Sequence, residues 1–302
     1  MRIAVSGAGG FIGQALGREL QVSGNEVLRM ARTSGDAPPR HLKWNPASGA
    51  IDRKQMEQID AVIHLAGENI AGRWTEKKKA AIRDSRVLGT RMLVEALAGL
   101  PHPPKLFLCA SAIGYYGDRG DELLNETSPA GSGFLAEVCS EWEAATTLAG
   151  AAGIKVVLLR FGFVLSSRGG GLPRMLLPFR LGMGGPIGNG KQYMSWITLV
   201  DAIRAIQFIL AKNTFSGPVN IVAPQSVPNR EFAQTLGRVL SRPAFLPTPA
   251  FVIKGLLGEM GRETILSSAR VEPAQLLRAG FQYQHPVIEN ALQDCCKKRQ
   301  PA

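Results

Sequence analysis

A glycine-rich stretch near the amino terminus, Ser6-Gly7-Ala8-Gly9-Gly10-Phe11-Ile12-Gly13, constrains the fold of this chain more than any other feature. It follows an apolar run, Arg2–Ser6, and opens a helical pattern, Phe11–Gln21, so it reads as the turn between a strand and a helix. Glycines at 7, 10 and 13 allow a tight turn, a close approach of backbone to a pyrophosphate, and close packing of helix on strand. The helix start then offers unpaired N–H groups and a partial positive charge to the phosphates. Gly7, Gly10, Phe11, Ile12 and Gly13 are therefore the expected cradle of a dinucleotide.

A second strand, Glu26–Ala31, follows at the spacing such a unit requires, and its end reads Leu28-Arg29-Met30-Ala31-Arg32-Thr33-Ser34. A carboxylate there would accept hydrogen bonds from the ribose of NAD, but none occurs before Asp36. Arg32 instead suits the 2′-phosphate of NADP, a charge-assisted contact of roughly 1.5–3 kcal/mol.

Short β-branched runs alternate with helical patterns over the first two-thirds of the chain, as in a parallel α/β sheet. The expected strands after the second are His41–Trp44, Ala61–Ala66, Lys105–Ala110 and Lys155–Phe161, with helices at Lys77–Leu97 and Glu137–Ala149. Beyond Leu165 glycine and proline punctuate the chain, and Ser195–Val200, the helix Asp201–Ala211 and Val219–Val222 return to strand and helix character. The reading is a Rossmann-type doubly wound parallel sheet over residues 1–165, rejoined by 197–223. Residues 166–196 and 224–302 form a smaller mixed substrate domain.

Composition narrows the classes. The longest apolar stretch, Val156 to Leu165, is too short to span a bilayer and contains Arg160. Four scattered cysteines show neither a disulfide framework nor metal-ligand spacing, which favours the cytoplasm, and a strand beginning at Arg2 leaves no room for a removable leader. The net charge of +11 is spread along the chain and not interleaved with aromatics, so a nucleic-acid partner is not expected.

Several further segments resemble the extended, epimerase-like branch of the short-chain dehydrogenase/reductase superfamily. They are Asp60-Ala61-Val62-Ile63-His64-Leu65-Ala66-Gly67, Arg86-Val87-Leu88-Gly89-Thr90, Tyr116-Gly117 and Trp196-Ile197-Thr198-Leu199-Val200-Asp201. More narrowly, Gly114-Tyr115-Tyr116-Gly117-Asp118, Leu177–Gly182 and Gly184–Gly188 look like an atypical subgroup of epimerase family proteins. Val271-Glu272-Pro273 through Ala279-Gly280-Phe281 is similar to the C-terminal domain of unknown function attached to it. The resemblance implies cofactor contacts at Leu65, Ala66, Gly67 and Phe163. It also puts Arg86, where the family usually has Asn, beside the cofactor.

The chain departs from that pattern where the chemistry lies. Catalytic members carry a Tyr and, four residues later, a Lys on one helix face, working with a Ser near the end of the fifth strand. Here no Tyr occurs between Tyr116 and Tyr193 and no Lys between Lys105 and Lys155, while the Ser position falls on Ala112, one residue after Ser111. Candidate substitutes at the carboxyl edge of the sheet are Ser111, Tyr115 and Tyr116, with Glu137 or Glu141 facing the cleft from the helix. Arg174, Arg180 and Lys191 suit an anionic group in the second domain. Two functions stay open: an NADP-dependent oxidoreductase or sugar-nucleotide epimerase acting on a small, anionic or nucleotide-sugar-like substrate, and a non-catalytic NADP-binding regulatory protein. Either is expected as a monomer or homodimer.

Overall fold

The computed structural model describes residues 1–31, 40–45 and 50–297. Among these residues, seven parallel strands form the central sheet. The chain starts in its middle with β1 (Arg2–Ser6) and winds outward through β2 (Glu26–Ala31) and β3 (His41–Asn45), where β4 (Ala50–Ile51) adds a short antiparallel edge. It then crosses back through α2 (Arg53–Met56) to lay β5 (Ala61–His64) on the other side of β1, followed by α3 (Glu76–Ala98) and β6 (Leu106–Ala112). After the short β7 (Leu123–Leu124) come helices α4 (Phe134–Ala144) and α5 (Thr147–Ala151), then β8 (Lys155–Phe161) beside β6. Winding reverses between β1 and β5, and open α/β sheets bind ligands at the carboxyl end of such a reversal.

The strands are apolar on both faces because both are covered. Ile3 and Val5 face a core shared with Leu16 and Leu20 of α1 (Phe11–Val22), whereas Ala4 faces the core built by Leu93, Val94 and Leu97 of α3. β9 (Phe163–Leu165) leaves the sheet and leads to α6 (Leu172–Arg180) and β10 (Tyr193–Met194). The chain comes back through β11 (Trp196–Thr198), α7 (Leu199–Lys212) and β12 (Gly217–Ile221), which joins the sheet beside β8. Thr198 caps α7, and the buried Asp201 carboxylate accepts the backbone N–H groups of Gln284 and His285, anchoring the distant tail. β13 (Val227–Pro228), α8 (Asn229–Leu240), α9 (Ala250–Leu257), β14 (Arg270–Val271), α10 (Ala274–Arg278) and α11 (Ile288–Cys296) complete the chain. A separate core of Leu172, Leu176, Phe179, Trp196, Phe232 and Leu292 binds α6, α8 and α11 together. No helix among the described residues is long and apolar enough to cross a membrane.

Several elements differ from expectation: the strand read over Ala61–Ala66 ends at His64, and Leu199 and Val200, read as strand, open α7. The helix expected over 137–149 is two helices, because the hydroxyls of Thr146 and Thr147 bond back to the carbonyls of Glu143 and Ala144 and offer the backbone another path. The strand expected to end at Ala110 runs on to Ala112, since Ser111 and Ala112 have ladder partners in Arg160 and Phe161.

Where β1 and β5 meet, the His64 ring is fully buried, with Nδ1 2.6 Å from Ser6 Oγ and Nε2 without a partner among the described residues. Burial lowers its pKa from 6.5 to about 4. The unfolded chain therefore takes up this proton first as pH falls. The stability His64 contributes is complete above about pH 6.5 and disappears as pH drops toward 4, a loss of about 3 kcal/mol. Urea unfolding at neutral pH and at about pH 4.5 should show this loss, and His64→Gln should shrink the difference between the two.

Candidate active site

Backbone alone builds the cradle at the reversal point. Gly7 has φ +66°, and a Cβ there would stand 2.7 Å from the Leu65 carbonyl group, so β5 closes directly onto the loop. A Cβ on Gly13 would lie 2.3 Å from the Gly7 oxygen, the same oxygen that accepts the Gly10 N–H at 2.9 Å. No side chain caps α1 at Gly10, so the first-turn N–H groups of Phe11, Ile12 and Gly13 point out with the helix dipole behind them. This arrangement fits a pyrophosphate.

Leu65, Ala66 and Gly67 continue from β5 beside that loop. The Arg86 guanidinium rests on Gly67, where a Cβ would stand 3.2 Å from Cζ. Its Nη1 donates to the carbonyls of Glu68 at 3.0 Å and Ile82 at 3.1 Å, and the Trp142 ring lies 5.2 Å away. On the opposite wall, the Phe11 ring packs on Gly169 and Gly170 and the Phe163 ring on Gly171, positions where side chains would collide with the rings. The glycines after β9 thus let the chain lie over the start of α1. Arg32 lies outside the described residues.

The three expected catalytic side chains have different fates. Ser111 and Tyr116 are buried, the latter completely, and both belong to a polar network within the wall. Ser111 Oγ donates to Glu143 Oε1 at 2.6 Å. Arg160 grips the same carboxylate with Nε and Nη2, both at 2.8 Å, and its Nη1 donates to the Tyr116 hydroxyl at 3.0 Å. The Tyr116 hydroxyl donates to Asn220 Oδ1 at 2.7 Å, and Asn220 Nδ2 to the Glu272 carbonyl. Burial raises the Tyr116 pKa. Burial also works against the Arg160 charge, but its bonds to Glu143 more than offset this and raise its pKa. Because β6 runs two residues past its expected end, Ser111 lies inside the ladder opposite Arg160. Tyr115 remains half-buried at the edge, its ring 3.6 Å from the Arg160 guanidinium carbon and edge-on to Tyr116.

Glu137 and Glu141 are exposed and pair with Arg83 at 3.3 and 3.5 Å. Glu143, which the sequence reading passed over, is the carboxylate that turns inward. The signal for it was Arg160, a charge in the middle of an apolar strand that needs a partner within reach. The α4 face that meets Gly114 carries Leu135 and Cys139, four residues apart, and burial pushes the Cys139 thiol up to about 12. Arg174, Arg180 and Lys191 are exposed and take no part in the network.

The sequence matches the model of the NAD dependent epimerase/dehydratase family over residues 3–222 and that of a domain of unknown function, DUF1731, over 248–295. It is 42% identical to Epimerase family protein ML0860 of Mycobacterium leprae, over 96% of this chain and 94% of that protein. It is 38% identical to the human Epimerase family protein SDR39U1, over 97% and 99% respectively. The crystal structure of the human protein with NADPH superposes with a TM-score of 0.87 at 36% identity, covering 98% of this chain and 99% of that one. UDP-glucose 4-epimerase of Thermus thermophilus in complex with NAD shares the fold at 18% identity and a TM-score of 0.76.

The network also makes a stability prediction. Glu143→Ala leaves the buried Arg160 uncompensated and should cost about 3–5 kcal/mol, whereas Tyr116→Phe, which strands Asn220 Oδ1, should cost about 1–3 kcal/mol. Urea unfolding midpoints of the two variants check the order.

Proposed function

The chain belongs to the NAD dependent epimerase/dehydratase family, and from that premise we propose that it binds NADP(H) along the carboxyl edge of the sheet and transfers hydride to or from a small anionic substrate, such as a sugar nucleotide. The observation that carries this reading is the backbone cradle, in which Gly7, Gly10 and Gly13 present an uncapped helix start to a pyrophosphate. The relative crystallised with NADPH supports the choice of cofactor, and so does Arg32 in place of a carboxylate. When bound, the nicotinamide ring would donate the hydride in its reduced form and accept it in its oxidised form. The chain's own residues orient it: Arg86 holds the loop through Glu68, and Phe11 and Phe163 keep the glycine segment closed over α1.

The proton is a separate question. Leu135 and Cys139 occupy the α4 face where the family's Tyr and Lys are expected, and neither ionises near neutral pH. Tyr115 is the group we assign to proton transfer, because it stays at the edge while Ser111 and Tyr116 are committed to the wall. The pair Leu135 and Cys139 also supports a second reading, a cofactor-binding protein whose NADP(H) occupancy is read by a partner without turnover. The four free cysteines fit a reducing compartment such as the cytoplasm.

Titration with NADPH followed by fluorescence, and a panel of carbonyl compounds and nucleotide sugars, test these statements. Gly13→Val should abolish NADPH binding, and Arg32→Asp should reverse any preference for NADPH over NADH. An unchanged preference removes Arg32 from the site. Tyr115→Phe should lower turnover by about 10²–10⁴-fold with little change in NADPH affinity. Tight binding with no turnover across the panel selects the second reading.

A further inference from the structure

We propose that the outer corner formed by α6, the end of α8 and α9 is a docking surface for an anionic membrane leaflet. Two segments, 174–191 and 230–254, are joined there. Gly188 N–H donates to the Thr248 carbonyl, Leu246 N–H to the Gly184 carbonyl, and Arg242 Nε to the Arg180 carbonyl. The first segment holds Arg174, Arg180 and Lys191 with no carboxylate. The second holds Arg230, Arg238, Arg242 and Lys254 against the single carboxylate of Glu231. All seven cations are exposed, and the two segments carry more than half of the chain's net charge of +11.

The same corner exposes apolar bulk. Phe245 is 72% exposed, Phe251 74% and Leu256 69%, and Leu177, Leu181 and Met183 stand out from the adjoining turn. Seven of the eight residues of α9, Ala-Phe-Val-Ile-Lys-Gly-Leu-Leu, are not charged, and none of the eight is buried. Between the two features runs a groove of about 1060 Å³ lined by Pro186, Arg230, Gln234, Arg238, Arg242 and Phe245. Among the described residues, the three guanidiniums in it bond only to backbone carbonyls and the Thr235 hydroxyl, apart from a loose 3.9 Å approach of Arg238 to Glu289.

A partner that is anionic and apolar at once satisfies both halves of this surface. Phosphate headgroups meet the arginines, while phenylalanine and leucine side chains enter the acyl boundary. A nucleic acid would leave the leucines and Met183 without a purpose. A second copy packed face to face would oppose seven cations to seven cations. This surface would rest on the membrane whether or not the cleft holds a cofactor.

Sedimentation of the full chain with vesicles tests it. The chain should pellet with vesicles of phosphatidylcholine mixed with phosphatidylglycerol and stay in solution with phosphatidylcholine alone. The variants F251S/L256S and R238Q/R242Q should each weaken vesicle binding about tenfold or more, and added salt should weaken it further in the wild type. All four side chains are exposed, so NADPH titrations and melting curves of the variants should match the wild type. Absence of binding to either vesicle overturns the proposal, as does binding that survives both variants. A wild-type dimer by light scattering that F251S/L256S converts to monomer assigns the face to a second copy and overturns it as well.

Discussion

One carbonyl oxygen, that of Gly7, sets the geometry on which the rest of the molecule depends. It accepts the Gly10 N–H at 2.9 Å and lies where a Gly13 side chain would have to begin, so the first turn of α1 is pressed against the end of β1. The missing side chain of Gly7 also admits the backbone of Leu65 and Ala66, bringing β5 in from the other side. Three segments thus converge with only main chain between them, and the start of α1 is left facing the crevice where the sheet reverses. Phe11, the first residue of that helix, then becomes the ledge on which Gly169 and Gly170 rest. Any side chain added at this junction pushes apart elements that reach across the whole molecule.

The second constraint is the ionic cluster within the wall. Taking Arg160 and Glu143 out of water is expensive, and the cost is offset because each of the three guanidinium nitrogens has an acceptor: two on the carboxylate and one on the Tyr116 hydroxyl. Closing that cluster uses Ser111 and Tyr116, the same residue types that would serve as acids if they stood free. Here they tie β6, β8, β12 and α4 into a rigid edge. Tyr115 is held in orientation by the Arg160 charge stacked on its ring, which leaves its hydroxyl, not its ring, as the variable part of the site.

Much of the fold was legible in the sequence because parallel strands buried on both faces are written as continuous apolar runs; β1, β2 and β8 begin and end where such runs do. What escaped was non-local. The two extra residues of β6 exist because β8 offers them ladder partners, and no property of Ser111 or Ala112 announces that. The choice among Glu137, Glu141 and Glu143 depends on the rotation of α4 against the strand carrying Arg160, which a single segment does not encode. The glycines at 169–171 read as a loosely specified loop, yet their purpose is to make room for the rings of Phe11 and Phe163. The resemblance put Arg86 beside a cofactor, whereas its resting place over Gly67 is a contact supplied by the fold that no sequence feature announces.

The charge of the chain follows from the same economy. A pyrophosphate held by backbone N–H groups and a helix dipole needs few side-chain cations, so the cleft absorbs little of the surplus. A little more than half of it falls on two segments at a corner that also carries exposed phenylalanine and leucine. The two kinds of group act at different ranges. Coulomb attraction reaches about 8 Å at physiological salt, whereas apolar burial contributes only on contact. Arginines on such a corner turn the chain toward an anionic surface before anything touches, and the phenylalanines and leucines then determine how long it stays. Arrival and residence are thereby assigned to different residues of one surface, set apart from the cleft in which the backbone does the binding.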